Sequence, residues 1–393
     1  MPRPPTPDPL DAPVPAYGTG SLCDLLPAIA AGLGLRSTTS SPLPKTTLRL
    51  PTAPRACVFL IDGLGHHQLR EHAPYAPFLA SLTDTTTPTT APTLTAGFPA
   101  TTATSLASFG TGLPPGRHGL AGYTVAVPGR NTLMNQLCWE PWTEPTTWQP
   151  HPPLLRTLHE RGIHIAQVLP TRFATTPLTR IALSGGRFIP EDDADRRMDR
   201  AAAELALADR TLVYTYLSDL DAAGHTFGVN SDEWRDQLMR ADRLAQRLAN
   251  RLPPRSALYI TSDHGMVDVP HHHRFDFDHD GELNAGVALL GGEARARHIY
   301  AQQGAASDVH AAWQERLGDH MWIATREEAI KAGWFGPVME DRVRPRIGDV
   351  IAVARTETAV IATRTEPGAS TMTGLHGAMT PAELLVPLLQ VQT

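Results

Sequence analysis

Six side chains in this sequence have the types to hold divalent metal: Asp62, Asp221, His225, Asp263, His264 and His376. Five of them stand just beyond apolar runs. "VFLI" leads into Asp62-Gly63, "LVYTYL" into "SDLDAAGH", and "LYITS" into Asp263-His264-Gly265. His376 comes later, in "GLHG". Three carboxylates and three imidazoles, with no thiolate required, suit divalent zinc. Taken singly, each piece has a plainer meaning. Asp221 and His225, four apart, also fit an ion pair on one helical face, and the histidines at 271–273 read as a solvated loop.

Metals of this kind need a group to activate, and "FPATTATSLASFGTGL" offers one. Thr101 and Thr102 follow a proline turn and open a run of small residues that ends at Gly110 and Gly112. The pattern predicts a short, tightly packed helix with threonine hydroxyls at its N-terminus, where a threonine also serves as a cap.

The elements that must position these groups follow from periodicity. Short apolar runs ("ACVFLI", "HIAQVL", "TLVYTYL", "ALYI") alternate with helical patterns, which predicts an α/β fold with a mostly parallel central sheet sandwiched between helices. Ligands of such sheets bind beyond the carboxyl ends of the strands. That is where Asp62, Asp221 and Asp263 fall, and Gly63 lets the backbone turn away at once. "SLCDLLPAIAAGLGL" predicts a helix within 21–35, followed by a Ser/Thr/Pro-rich connector at 37–47. Residues 1–19 read as a disordered or loosely attached lead. The domain expectation is a lead and helix at 1–45, a core at 46–270 and 371–393, and a small inserted α/β cap at 271–370. Within the cap, "GVALL", "DVIAVA" and "TAVIAT" carry strand signals. Thr325 and Glu328 have the spacing of a capping box, and Thr380-Pro381 starts a short helix before a closing strand.

Composition sets the outer limits. The chain has 393 residues and 41% hydrophobic content, enough for a sizeable core. No apolar run approaches the ~20 residues of a membrane span. The net charge is −6, without a basic run to track nucleic acid. Three scattered cysteines, Cys23, Cys57 and Cys138, speak against a disulfide framework. The N-terminal stretch lacks the basic and apolar regions of a secretory signal. A cytoplasmic location is the expectation.

The order "IDGLG", "FPATTATS…TGLPPGRHGL", "DLDAAGH", "SDHGM" and "GLHG" resembles the alkaline phosphatase superfamily, and within it the nucleotide pyrophosphatase/phosphodiesterase branch. The resemblance runs from about residue 55 to the C-terminus. It implies two Zn²⁺ ions, other divalent metals being possible. One would be held by Asp221, His225 and His376, the other by Asp62, Asp263, His264 and the nucleophile oxygen. The family nucleophile lies nine residues before the "TGL" threonine, which implies Thr102 rather than Thr101. An asparagine that helps hold a phosphoryl oxygen in nucleotide-cleaving members is matched here by Tyr123, a phenol. The Cys/Ser-x-Pro-x-Arg pattern of sulfatases is not found.

The resemblance implies a two-zinc hydrolase of phosphate diesters or phosphoanhydrides, working through a covalent phospho-Thr102 on a small phosphate ester or nucleotide. The alternatives are a phosphomonoesterase, a phosphonate hydrolase or a transferase on the same site, and a catalytically silent binding protein.

Overall fold

A computed structural model describes residues 11–38, 42–83, 93–139 and 143–393. Its main strands in chain order are β1 (Arg55–Ile61), β2 (His164–Leu169), β3 (Arg187–Pro190), β4 (Thr211–Leu217) and β5 (Ser256–Thr261). These are followed by β6 (Val287–Glu293), β7 (Ala296–Ala301), β8 (Met321–Thr325), β9 (Val350–Ala354) and β10 (Leu389–Gln392). The principal helices are α1 (Leu22–Gly32), α2 (Thr102–Thr111), α3 (Ala194–Leu205), α4 (Asp219–Phe227), α5 (Asp232–Ala249), α6 (Ala306–Leu317) and α7 (Arg326–Lys331).

The central sheet has the order β10-β5-β1-β4-β2-β3. Its pairings are parallel except that of β10 with β5, which is antiparallel. Side chains alternate across each strand, and β1 shows the consequence. Ala56, Val58 and Leu60 join the core that α1 and α2 cover, while Cys57, Phe59 and Ile61 join the core under α3 and α5. A strand buried on both faces reads as an unbroken apolar run, which is why "ACVFLI" shows no alternation of its own.

A second sheet, β6-β7-β9-β8, is antiparallel throughout and packs with α6 and α7 around Trp313, Trp334 and Phe335. The same cluster takes in Ala96, Phe98 and Ala100, the segment that enters α2. "TAVIAT" contributes a strand (Ala359–Ile361) that pairs with Arg274–Asp276 instead of joining this sheet. The Thr325–Glu328 capping box forms: Glu328 N donates to Thr325 Oγ1 at 3.3 Å, and Thr325 N donates to Glu328 Oε2 at 2.8 Å.

The lead differs from expectation. Residues 1–10, and 39–41 of the connector, lie outside the described residues. Residues 11–19 are packed against the fold rather than loosely attached. The Tyr17 hydroxyl donates to the Trp334 carbonyl at 2.9 Å and accepts from Phe98 N at 3.0 Å, and Ala16 N donates to Thr95 Oγ1 at 2.8 Å. One buried phenol with both bonds made pins a proline-rich strap that composition alone marks as loose. Among the described residues, no helix is long and apolar enough to cross a membrane.

Candidate metal centre and nucleophile

β1 lies between β4 and β5, with Ile61 opposite Leu217 and Leu60 opposite Thr261. The three strands therefore end level with one another, and the residues that follow them meet at one edge. Asp62 extends β1 by one step, its N–H donating to the Leu217 carbonyl at 2.9 Å. The chain then turns at Gly63, whose φ of +74° is a left-handed conformation. A Cβ there would lie 3.0 Å from Asp221 Cβ, so the glycine is needed both for the turn and for the approach of α4. Asp221 comes from the first turn of α4 and His225 from its last, and Asp263-His264 follow the end of β5. His376 arrives on the returning segment, where Gly374–Leu375 pairs with Val267–Asp268.

Five of the six expected metal ligands form two overlapping donor groups, and His225 stands next to one of them. Donor atoms of Asp62, Asp263 and His264 lie within 4.8 Å of one another, and so do those of Asp221, His264 and His376. By distance His264 therefore stands in both groups. His225 sits beside the second, its Nε2 3.4 Å from Asp221 Oδ2 and its ring 5.1 Å from that of His376. The His264 and His376 rings stack with centroids 3.7 Å apart.

Hydrogen bonding orients the set toward a cation. Nδ1 of His225, His264 and His376 faces the carbonyls of Gly374 (2.9 Å), Gly265 (3.1 Å) and Ala100 (2.9 Å). A carbonyl only accepts, so each Nδ1 carries the proton and each Nε2 keeps its lone pair. Three carboxylate oxygens, Asp62 Oδ1, Asp221 Oδ1 and Asp263 Oδ2, are sealed from water with no hydrogen-bond partner. Unpaired buried acceptors are costly, and three together call for positive charge.

The titration tendencies agree. Burial, then repulsion from the neighbouring aspartates, raises the Asp62 carboxyl well above its ordinary range. Burial pushes Asp221 up to about 6 and His264 down to about 3. Burial likewise drives His376 well below its usual value, so His264 and His376 are neutral, as ligands must be. Three carboxylates and three imidazoles fit divalent metal ions, whose charge offsets the repulsion.

The two threonines separate cleanly. Thr101 is the N-cap of α2, buried, with extended backbone (φ −142°, ψ 152°) and no side-chain capping bond. Thr102 is the first helical residue, and its Oγ1 lies 3.3 Å from His264 Nε2. Both threonines line the larger cavity beside the donor cluster, and Thr102 is the one whose hydroxyl is within hydrogen-bond distance of a cluster atom. The helix entry is stitched to the ligand segment by the Ala100–Gly377 bridge.

Two cavities open on either side of Thr102 and Asp221. The larger, about 600 Å³, is lined by Tyr123, Glu293, Glu366, Met372 and His376 among others. The smaller, about 330 Å³, is lined by five leucines, Phe173, Tyr214 and Tyr216, together with threonines, Cys138, Asp62 and Asp221. Tyr123 is thus a wall of the larger cavity, its phenol pushed up by burial.

Two residues escaped the sequence reading. The Tyr216 hydroxyl donates to Asp62 Oδ2. Glu293, at the end of β6, accepts the Tyr123 backbone N–H on Oε2 at 2.8 Å, and burial pushes its carboxyl up to about 8. Glu293 carries no motif. Tyr216, five residues before Asp221 on an inward-facing strand position, was the more legible of the two.

The family model for type I phosphodiesterase / nucleotide pyrophosphatase matches residues 56–379. A human protein, ectonucleotide pyrophosphatase/phosphodiesterase family member 7, is 38% identical over 77 residues, which is 18% of this chain and 17% of that relative's length. The likeness thus spans about a sixth of that relative. Among solved structures, murine ectonucleotide pyrophosphatase/phosphodiesterase 5 superposes with a TM-score of 0.66 at 16% identity, covering 86% of this chain and 88% of that one. An inactive threonine-to-alanine variant of the murine protein, in complex with AMP, gives 0.64 at 16% identity over 85% and 87% of the two chains. At such identity the structural likeness shows the shared, alkaline phosphatase-like fold.

Proposed function

Because the chain belongs to the type I phosphodiesterase/nucleotide pyrophosphatase family, we propose that it is a two-zinc hydrolase of phosphate diesters or phosphoanhydrides with Thr102 as its nucleophile. Asp62, Asp263 and His264 would hold one ion and Asp221, His225 and His376 the other. When bound, the ions supply Lewis acidity that lowers the pKa of a hydroxyl and offsets phosphate charge. The observation that carries the metal assignment is the set of three orphaned carboxylate oxygens facing three Nε2 lone pairs.

The rest of the chemistry belongs to the chain. Thr102 opens α2, so its oxygen is held by a helix rather than a loop, and unpaired N–H groups of the first turn favour a phosphoryl oxygen nearby. Attack by Thr102 Oγ1 forms a P–O bond while the bond to one alcohol breaks, and that alcohol leaves with a proton. Water then cleaves phospho-Thr102 and restores the hydroxyl. The complex of the inactive murine variant with AMP supports a small nucleotide-like phosphate ester as ligand. The free cysteines, Cys23 and Cys57 buried and Cys138 exposed, support a reducing, cytoplasmic location.

Elemental analysis of dialysed protein is expected to give two zinc ions per chain, and a chelator should abolish hydrolysis of bis(4-nitrophenyl) phosphate until zinc is returned. Metal-free protein with chelator-insensitive turnover would contradict the proposal.

A further inference from the structure

The smaller cavity has a composition that restricts what can occupy it. Its walls are Leu106 of α2, Leu137, Leu169 at the end of β2, Phe173, and Leu178 and Leu183 beside a π-helical turn at Thr179–Leu183. That turn is locked against α2 at Gly110, where a Cβ would come within 1.9 Å of the Ala182 carbonyl oxygen. The wall is therefore closely packed on α2, and Thr102, Asp62 and Asp221 line the same cavity.

Two groups of the cavity remain able to read a polar substituent, the Thr179 hydroxyl and the Cys138 thiol, and the other hydroxyls apart from Thr102 are engaged or sealed. Thr176 Oγ1 donates to Thr179 Oγ1 at 2.8 Å, the Tyr216 hydroxyl is committed to Asp62, and the Tyr214 hydroxyl is sealed from water. Among the described residues, neither cavity is lined by lysine or arginine, and the larger one carries Glu293 and Glu366. Arg172 lies over the Phe173 ring, 4.7 Å from its centroid, and donates to Ser218 Oγ at 2.7 Å. A chain of further phosphates would find no cationic side chain among the described lining residues of either cavity, and Glu366 in the larger one is already paired with Arg297, Nη2 to Oε2 at 2.7 Å.

We propose that the smaller cavity seats an apolar ester arm, so that the substrate is a singly charged phosphodiester of an alkyl or aryl alcohol rather than a nucleoside polyphosphate. This rests on the hydrolase assignment of the same site and narrows it. Burial of each methylene in such a cavity improves binding about three- to fourfold.

The test is calorimetry on the zinc-loaded protein with methyl esters of n-alkylphosphonic acids, from methyl to hexyl, each carrying one charge. Kd is expected to fall about threefold per methylene until the cavity is full, with ATP binding at least tenfold more weakly than the hexyl member. Phe173→Gln, on a half-exposed turn, should flatten the series. A wild-type Kd independent of chain length, or tighter binding of ATP, would overturn the proposal whether or not the variant folds. Turnover of bis(4-nitrophenyl) phosphate is measured alongside. A steep series without turnover would support the apolar seat and count against the hydrolase. A flat series with turnover would remove the seat alone.

Discussion

His264 is where the two donor groups meet. Its Nε2 lies 3.5 Å from Asp62 Oδ1, 3.7 Å from Asp263 Oδ2 and 3.3 Å from Thr102 Oγ1, while its ring stacks on His376. Loss of a side chain at that junction disturbs both groups, whereas loss at either end disturbs one. His264→Ala is therefore expected to lower zinc content toward zero. His376→Ala should weaken mainly the ion beside Asp221, and Asp263→Ala mainly the ion beside Asp62. Zinc titration of the three variants, monitored by elemental analysis after dialysis, reads the pattern, and an unchanged two ions in His264→Ala would contradict it. The ligand candidates were legible because each follows an apolar run or a glycine-flanked return, where local sequence already says "strand end". Glu293 was not, because its meeting with Tyr123 joins residues 170 apart, and nothing near either one announces the other.

At the scale of elements, the alternation of apolar runs and helical patterns carried the sheet, but not its order or its edges. β3 ("RFIP") is short, with one buried residue, and gives no periodic signal. The π-helical turn at Thr179–Leu183 ("TRIAL") has no signature in local sequence, and the Ala182 carbonyl within it packs closely on Gly110, a contact between distant residues. The helix opening at the two threonines was legible in its position. Which threonine caps and which opens the helix beside His264 was not a matter of local propensity: the Ala100–Gly377 bridge lies at the point where the helix begins. The turn at Gly63 is the element-scale feature most open to test. Gly63→Ala would place an L side chain in the left-handed region and push on Asp221, at a cost of about 1–2 kcal/mol for the backbone alone. The expected outcome is a lower urea midpoint together with weaker zinc retention. Loss of stability with zinc binding intact would show that the turn and the site are uncoupled.

Across the whole molecule, the α/β core and the antiparallel lobe are joined by buried charge. Arg295, in the β6–β7 connection, makes a two-pronged contact with Glu383, Nε to Oε1 and Nη2 to Oε2 both at 2.7 Å, with both side chains sealed from solvent. Glu383 also accepts from Ala378 N at 3.0 Å, two residues beyond His376. The pair is matched across 88 positions, so sequence spacing gave no hint of it. Its consequence is that the lobe bearing Glu293, the segment bearing His376 and the helix bearing Thr102 form one packed unit around the cavities.

The nucleophile is the claim on which the proposed function turns, and Thr101 and Thr102 supply an internal control. Thr101 caps α2 without a side-chain bond, so Thr101→Ala should cost about 1 kcal/mol of stability or less and leave turnover largely intact. Thr102→Ser keeps a hydroxyl in place and should keep measurable activity. The decisive measurement is turnover of bis(4-nitrophenyl) phosphate by Thr102→Ala protein that is folded and shown to carry two zinc ions. A loss of several orders of magnitude is predicted, and near-normal turnover would contradict a covalent phospho-Thr102 route.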